Sequence, residues 1–171
     1  MSGTSRVVGA PARPSRRALG PVELLREALL GAATGARSTF GPTALALRAR
    51  PDDPRAAGRV ARWAPAVAVG ALGEVVADKT PVVPPRNGIV GLAPRILLGG
   101  ASGRVLATRD GRAVPTSGVV AALAAVGAAL GGVRWRAAAS RRCGSDLPGA
   151  LAEDLAAAAC AWWATRRAAR P

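Results

Sequence analysis

The stretch AVPTSGVVAALAAVGAALGGV, residues 113–133, decides the fold because it holds 21 consecutive residues without a charge. Arginines bound it on both sides, at Arg112 and Arg134, and Trp135 follows. As an α-helix rising about 1.5 Å per residue, it would span the roughly 30 Å hydrocarbon core of a bilayer. Arginine and tryptophan at the ends are typical of a membrane interface. The segment predicts a transmembrane helix; the alternative is a buried, alanine-rich helix of a soluble protein.

The composition favours the membrane interpretation. The 171 residues include 41 alanines and 21 glycines, whereas aromatic residues make up 3%. Because alanine buries little apolar surface, a large soluble core is not expected. The absence of histidine excludes histidine-based metal sites and His-dependent catalytic triads. The length favours a single domain.

Four further apolar segments, each interrupted by charged residues, predict additional helices. Their ranges are 22–47, 60–77, 89–108 and 147–165. Within the first, Gly41-Pro42 predicts a break. Connectors are predicted at 48–59, 78–88, 109–112 and 134–146. We therefore expect an all-α, polytopic integral membrane helical bundle of four to six helices, with five as the central expectation and some of them short or broken.

The domain organisation follows from these segments. Residues 1–20 are expected to form a basic, disordered N-terminal arm, 21–166 a single helical membrane domain, and 167–171 a C-terminal tail. The arm lacks the apolar core of a signal peptide. The net charge is +14, but the basic residues are scattered and form no stripe along one helix, so nucleic acid is not an expected partner. The expected location is the cell membrane, crossed several times.

The sequence contains an internal similarity. LLGAATG at residues 29–35 matches LLGGASG at 97–103, an offset of 68 residues. Membrane proteins built from two related halves often place their site at the repeat interface. The relative direction of the two halves stays open. GxxxG motifs allow close helix packing, and the predicted packing residues are Gly31, Gly35, Gly99, Gly103, Gly127 and Gly131.

Charged residues inside the apolar segments need an explanation, because a charge at the centre of a membrane helix costs about 2.5–3.5 kcal/mol. Arg37 is a candidate partner of Glu74. Glu153 is a candidate partner of Arg95 or Arg104. Such pairs either fix the helix register or line a polar pathway or head-group site. Arginines expected near helix ends, with their charge at the membrane surface, are Arg26, Arg62 and Arg104.

The most specific local pattern is EVVADKTP, residues 74–81. Glu74 and Asp78 are four residues apart and share a helix face, and Lys79 and Pro81 then end the helix. Two carboxylates on one face could bind a cation or carry protons. They could equally anchor a helix end to basic loops.

These motifs resemble a known family. The stretches GAATGARS (31–38), EVVADKTP (74–81) and RILLGGASG (95–103), with the late pair Glu153-Asp154, resemble bacterial membrane proteins grouped as domain of unknown function 4126. The resemblance covers roughly residues 22–165 and implies a small, multi-helix integral membrane protein without an established biochemical role. The polar positions that match the family's motifs are Arg37, Ser38, Glu74, Asp78, Lys79, Arg86, Arg95, Glu153 and Asp154.

We expect these nine positions to form the binding site of a transporter- or channel-like protein. The alternative is a membrane scaffold that assembles through its GxxxG faces and uses its charges as structural ion pairs. A lipid head-group enzyme is the least favoured hypothesis. No catalytic residue, metal site or cofactor is predicted, and an enzymatic role is not favoured. The expected partners are the lipid bilayer, further copies of the chain in a homo-oligomer, and a small solute or ion of unknown identity.

Overall fold

The regular secondary-structure elements in the described part of the chain are all α-helices, which confirms the predicted all-α class. The computed structural model describes residues 20–48, 62, 65, 89–112 and 114–166. The predicted helix at 60–77, apart from two isolated residues, and the terminal segments 1–19 and 167–171 lie outside the described residues. The helices are α1 (Pro21–Ala36), α2 (Phe40–Leu47), α3 (Ile89–Arg109), α4 (Val114–Cys143) and α5 (Leu147–Ala164).

The first apolar segment breaks earlier than predicted. The chain leaves the helix at Arg37, whose backbone is extended, and resumes it at Phe40. The predicted break at Gly41-Pro42 is therefore wrong. Pro42 lies in the first turn of α2, where a missing N–H group costs no helical hydrogen bond.

Helix α4 is longer than predicted, so most of the expected connector at 134–146 is helical. Residues 134–143 consist largely of arginine and alanine, which favour a helix, and nothing among them stops it. The helix ends before Gly144, whose φ of +67° is the left-handed conformation that glycine adopts at low cost. The Gly144 N–H donates to the Ser140 carbonyl at 2.9 Å. Only residues 144–146 separate α4 from α5.

Helix α4 is the central element of the bundle, and α1 packs directly on its backbone. The buried face of α4 carries small residues four apart, among them Ala121 and Ala125. A Cβ atom added to Gly31 would overlap the carbonyl oxygen of Ala121, and one added to Gly35 would overlap that of Ala125. Helices α1 and α4 therefore run parallel, with their backbones in contact along the first GxxxG motif.

Helix α3 places its copy of the motif on the same residues of α4, in the opposite direction. A Cβ atom on Gly99 would lie 2.8 Å from the Ala125 Cβ, and one on Gly103 would lie 2.6 Å from the Ser117 carbonyl oxygen. The two similar segments therefore lie antiparallel to each other on α4. The third motif differs, because nothing lies within 4 Å of a Cβ atom built on Gly127 or Gly131.

The distribution of side chains is the reverse of that in a soluble domain. Among the described residues, the buried apolar side chains are mostly alanine, with Leu30, Leu45 and Leu106 as the only larger ones. Large apolar side chains lie outside instead: Leu97, Leu123 and Leu155 are each at least 68% exposed. Further exposed apolar residues are Val22, Leu24, Leu25, Leu47, Ile96, Val119, Leu130, Val133, Trp135, Leu147, Leu151, Trp162 and Trp163.

In the part of the chain that the structure describes, one helix is both long and apolar enough to cross a membrane. This helix is α4, and 28% of its most apolar window is buried. The core helix of a soluble protein can pass the same test of length and composition.

The glycine contacts predict unequal effects for two matched substitutions. Gly31→Ala brings a methyl group into the backbone of α4, and we expect a loss of about 1–3 kcal/mol in the free energy of unfolding. Gly127→Ala, whose methyl group enters open space, is expected to be neutral or to stabilise by up to about 1 kcal/mol. Chemical denaturation of both variants, followed by circular dichroism, measures the difference. Equal effects would contradict the backbone contact.

Candidate functional site

An ion pair between α1 and α5 forms the centre of the candidate site. Arg37 follows the end of α1, and Asp154 lies in the second turn of the antiparallel α5. The Arg37 Nε atom is 2.8 Å from Asp154 Oδ1, and a second guanidinium nitrogen is 3.0 Å from Oδ2. The side chains are 28% and 34% exposed. The pair is therefore bidentate, which is a strong geometry, yet it remains partly exposed at the surface of the described bundle.

Arg95 and Ser38 join this pair at the break between α1 and α2. The Arg95 guanidinium group reaches across from α3 and donates to the carbonyl oxygens of Gly35 and Ala36, the latter at 3.1 Å. These are the last carbonyl groups of α1, so the positive charge lies at the negative end of the helix dipole. Ser38 is buried next to them in the sequence.

Glu153 extends the polar region toward α4. Its carboxylate packs against Gly132, where an added Cβ atom would lie 2.6 Å from Glu153 Oε1. One turn further along α4, on the same helix face as Gly132, Arg136 pairs with Asp146. Glu153 therefore faces the basic side of α4.

The structure brings part of the predicted site together. Arg37 and Asp154 are in contact, while Arg95 and Ser38 lie at the same helix break. The predicted partner of Arg37 was Glu74, and the pairing found in the described residues is with Asp154. The remaining predicted positions, Glu74, Asp78, Lys79 and Arg86, lie outside the described residues.

The sequence analysis missed a second charged cluster at the opposite end of α1. Arg112 contacts Glu27 Oε1 at 2.9 Å and Asp110 Oδ2 at 2.6 Å. The Asp110 carboxylate also accepts from Arg26 at 2.8 Å. Arg26 was expected at the membrane surface, but it is buried, and Glu27 is fully buried. The four charges alternate in sign and balance.

This cluster fastens three parts of the bundle together. Arg26 donates to the carbonyl oxygen of Ala164 at 2.9 Å and to that of Arg166 at 2.8 Å, at the C-terminal end of α5. It thereby joins α1, the α3–α4 turn and α5. The signal in the sequence was the adjacent pair Arg26-Glu27 in an apolar segment, followed much later by Asp110 in a tight turn. No local spacing connects them.

The two clusters differ in what they can do. About ten helical residues separate them along α1, or roughly 15 Å. The cluster around Glu27 is buried and bonded to three elements, as expected for a structural network. The pair Arg37–Asp154 is partly exposed, so a dissolved ion could compete for either partner. No group of acidic or cysteine residues in the described part of the chain is arranged to hold a metal ion.

Between the clusters, the repeat places two hydroxyl groups near each other. Thr34 and Ser102 occupy the same position in the two similar segments, and both are buried. A Cβ atom on Gly41 would overlap Thr34 Oγ1 and lie 3.1 Å from Ser102 Oγ. The interface between the two copies therefore contains hydroxyl groups as well as small side chains.

Comparison with known proteins gave no match with a family model, a curated protein or a solved structure. The resemblance to domain of unknown function 4126 therefore stays a prediction that rests on the quoted motifs.

The unequal burial of the clusters predicts unequal costs of neutralising them. Glu27→Gln removes a negative charge that faces Arg112 in a buried position. We expect a loss of about 3–5 kcal/mol in the free energy of unfolding. Asp154→Asn weakens a partly exposed pair, so we expect about 1 kcal/mol. Glu23→Gln, on the same helix as Glu27 and without a salt bridge among the described residues, is the control. Denaturant unfolding of the three variants tests this order, and a harmless Glu27→Gln would contradict it.

Proposed function

We propose that this protein is a multi-pass membrane protein of the transporter or channel type, with its ion site at Arg37 and Asp154. The observation that carries the proposal is the reversed distribution of side chains. Large apolar side chains face outward while alanine, glycine and paired charges face inward. Such a surface is costly in water and is favourable in a bilayer.

The tryptophans support the same environment. Trp135 is half exposed near the N-terminal end of α5, where its indole N–H donates to the Gly149 carbonyl oxygen at 3.1 Å. Trp162 and Trp163 are exposed at the opposite end of α5. Tryptophan at both ends of a helix is the arrangement expected for the two interfaces of a membrane.

The arrangement of the repeat supports transport rather than a passive role. The GxxxG segments of α1 and α3 lie antiparallel on α4, and transporters are often built from inverted repeats with the site between them. Arg37 follows the first copy directly, and Arg95 precedes the second copy. The ion site thus lies where the two copies meet.

The chemistry of the pair favours a small inorganic ion as the solute. When the pair opens, it offers one carboxylate to a cation and one guanidinium group to an anion. The pair is balanced when closed, so an unoccupied site carries no net charge in the membrane. Since family motif positions gather here, the proposal also places the chain with domain of unknown function 4126.

A membrane scaffold is the second candidate, favoured by one observation. Gly127 and Gly131 are exposed on α4, with open space where a Cβ atom would lie. A second copy of the chain could pack closely there. In that case Gly131→Leu changes the oligomer size in detergent, and Asp154→Asn leaves that size unchanged.

Membrane extraction and ion flux test the proposal in sequence. The protein should remain in membranes washed with alkaline carbonate and require detergent for release. After reconstitution into vesicles loaded with KCl, ion-selective electrodes should record release of K⁺ or Cl⁻. Asp154→Asn should reduce that release at least tenfold, whereas Asp146→Asn, which changes a salt bridge in the α4–α5 turn, should not. Release that is independent of Asp154 would contradict the proposed site.

A further inference from the structure

One face of α4 changes from apolar to basic along its length without being covered by the rest of the described bundle. Leu123, Gly127 and Leu130 are exposed at spacings of four and three residues, which places them on one helix face. Arg134 continues that face after another four residues, and Arg141 follows two turns later. The uncovered face is thus a continuous stripe.

The change of character coincides with the end of the uncharged segment. The 20 uncharged residues of α4, 114–133, correspond to about 30 Å of helix, close to the hydrocarbon thickness of a bilayer. All 30 residues of α4 correspond to about 45 Å, so the helix extends about 15 Å beyond the hydrocarbon on one side. The last ten residues are therefore more than long enough to cross one head-group layer, which is roughly 5–8 Å thick.

The basic end of α4 carries Arg134 and Arg141 on this face and Arg142 beside Arg141, on the neighbouring face. Arg134, Arg141 and Arg142 are exposed and have no salt bridge within the described part of the chain. Arg136 points elsewhere, because it pairs with Asp146 in the turn to α5. At the opposite end of α4 the charges of Arg112 are already balanced by Glu27 and Asp110. The helix is therefore positive on its outer surface at one end only.

We propose that Arg134, Arg141 and Arg142 form a binding surface for the phosphate groups of anionic phospholipids. This inference rests on the proposed membrane location and adds the lipid partner. Guanidinium groups bind phosphate in bidentate geometry, and basic residues beside a membrane helix are attracted to anionic lipid. The exposed apolar stripe contacts the acyl chains of the same lipids, and the Trp135 ring lies at the boundary between the two regions.

Lipid competition measures this surface directly. The full chain, purified in a mild detergent, is mixed with phosphatidylglycerol and phosphatidylcholine of identical acyl chains, and native mass spectrometry counts the bound lipids. We expect about a hundredfold preference for phosphatidylglycerol, since each of the three arginines contributes about fivefold. The preference should fall about fivefold for each arginine changed to glutamine, and the triple variant at 134, 141 and 142 should lose it.

Two controls keep the result interpretable. Arg104→Gln removes an exposed arginine of α3 and should leave the preference unchanged. If the triple glutamine variant fails to fold, the triple lysine variant should keep the preference, whereas Leu123→Gln, which changes no charge, should reduce it less than twofold. Equal binding of the two lipids by the wild-type chain would overturn the proposal, as would an undiminished preference in the folded triple glutamine variant.

Two further outcomes separate this inference from related explanations. A protein that carbonate removes from membranes, yet prefers phosphatidylglycerol through these arginines, would overturn the multi-pass proposal and keep the lipid surface. A protein that stays in washed membranes but shows no preference for phosphatidylglycerol would overturn the lipid surface and keep the multi-pass proposal. Loss of binding to a single-stranded RNA oligonucleotide in the triple variant, with lipid preference intact, would assign the surface to nucleic acid and overturn the proposal.

Discussion

The contact on which the rest of the structure depends is that of two glycine motifs with α4 between Ser117 and Ala125. Gly31 and Gly35 approach from α1, and the equivalent glycines approach from α3 in the opposite direction. At these positions any side chain would hold the helices apart. The approach fixes where each helix ends, and therefore where the charged residues at those ends can meet.

A bundle packed in this way has little apolar side-chain volume to bury. Its interior consists of alanine, glycine and hydroxyl groups, so close packing and ion pairs must take the place of the large side chains that stabilise a soluble core. The cluster around Glu27 holds one end together, and the pair Arg37–Asp154 joins α1 to α5 at the other. The first is buried and fixed, while the second stays accessible, which is why we place function at the second.

Local features of the sequence predicted the helices well. An uncharged run flanked by arginines predicted α4, and the repeated LLGxxxG pattern indicated segments that lie at helix contacts. The end of α4 was misplaced because arginine after an apolar run signals a membrane boundary, but it also favours helix, so the helix continues to Gly144. The break near Arg37 depends on tertiary contacts from Arg95 and Asp154, which no spacing in the segment encodes. Arg37 and Asp154 were both recognised as candidates, whereas their pairing was not, because the two are 117 residues apart.

The central claim is that α4 turns one face to the glycine backbones and the opposite face to lipid, with basic residues beyond. Nitroxide labels on Leu123→Cys and Arg141→Cys test it most directly, in vesicles and with Cys143 and Cys160 replaced by serine. Dissolved oxygen and an aqueous nickel chelate then compete as relaxation reagents. The account predicts that oxygen relaxes the label at position 123 more strongly than the nickel chelate does, and that the nickel chelate is the stronger reagent at position 141. If the nickel chelate reaches position 123 as readily as position 141, α4 lies in water and the account is wrong.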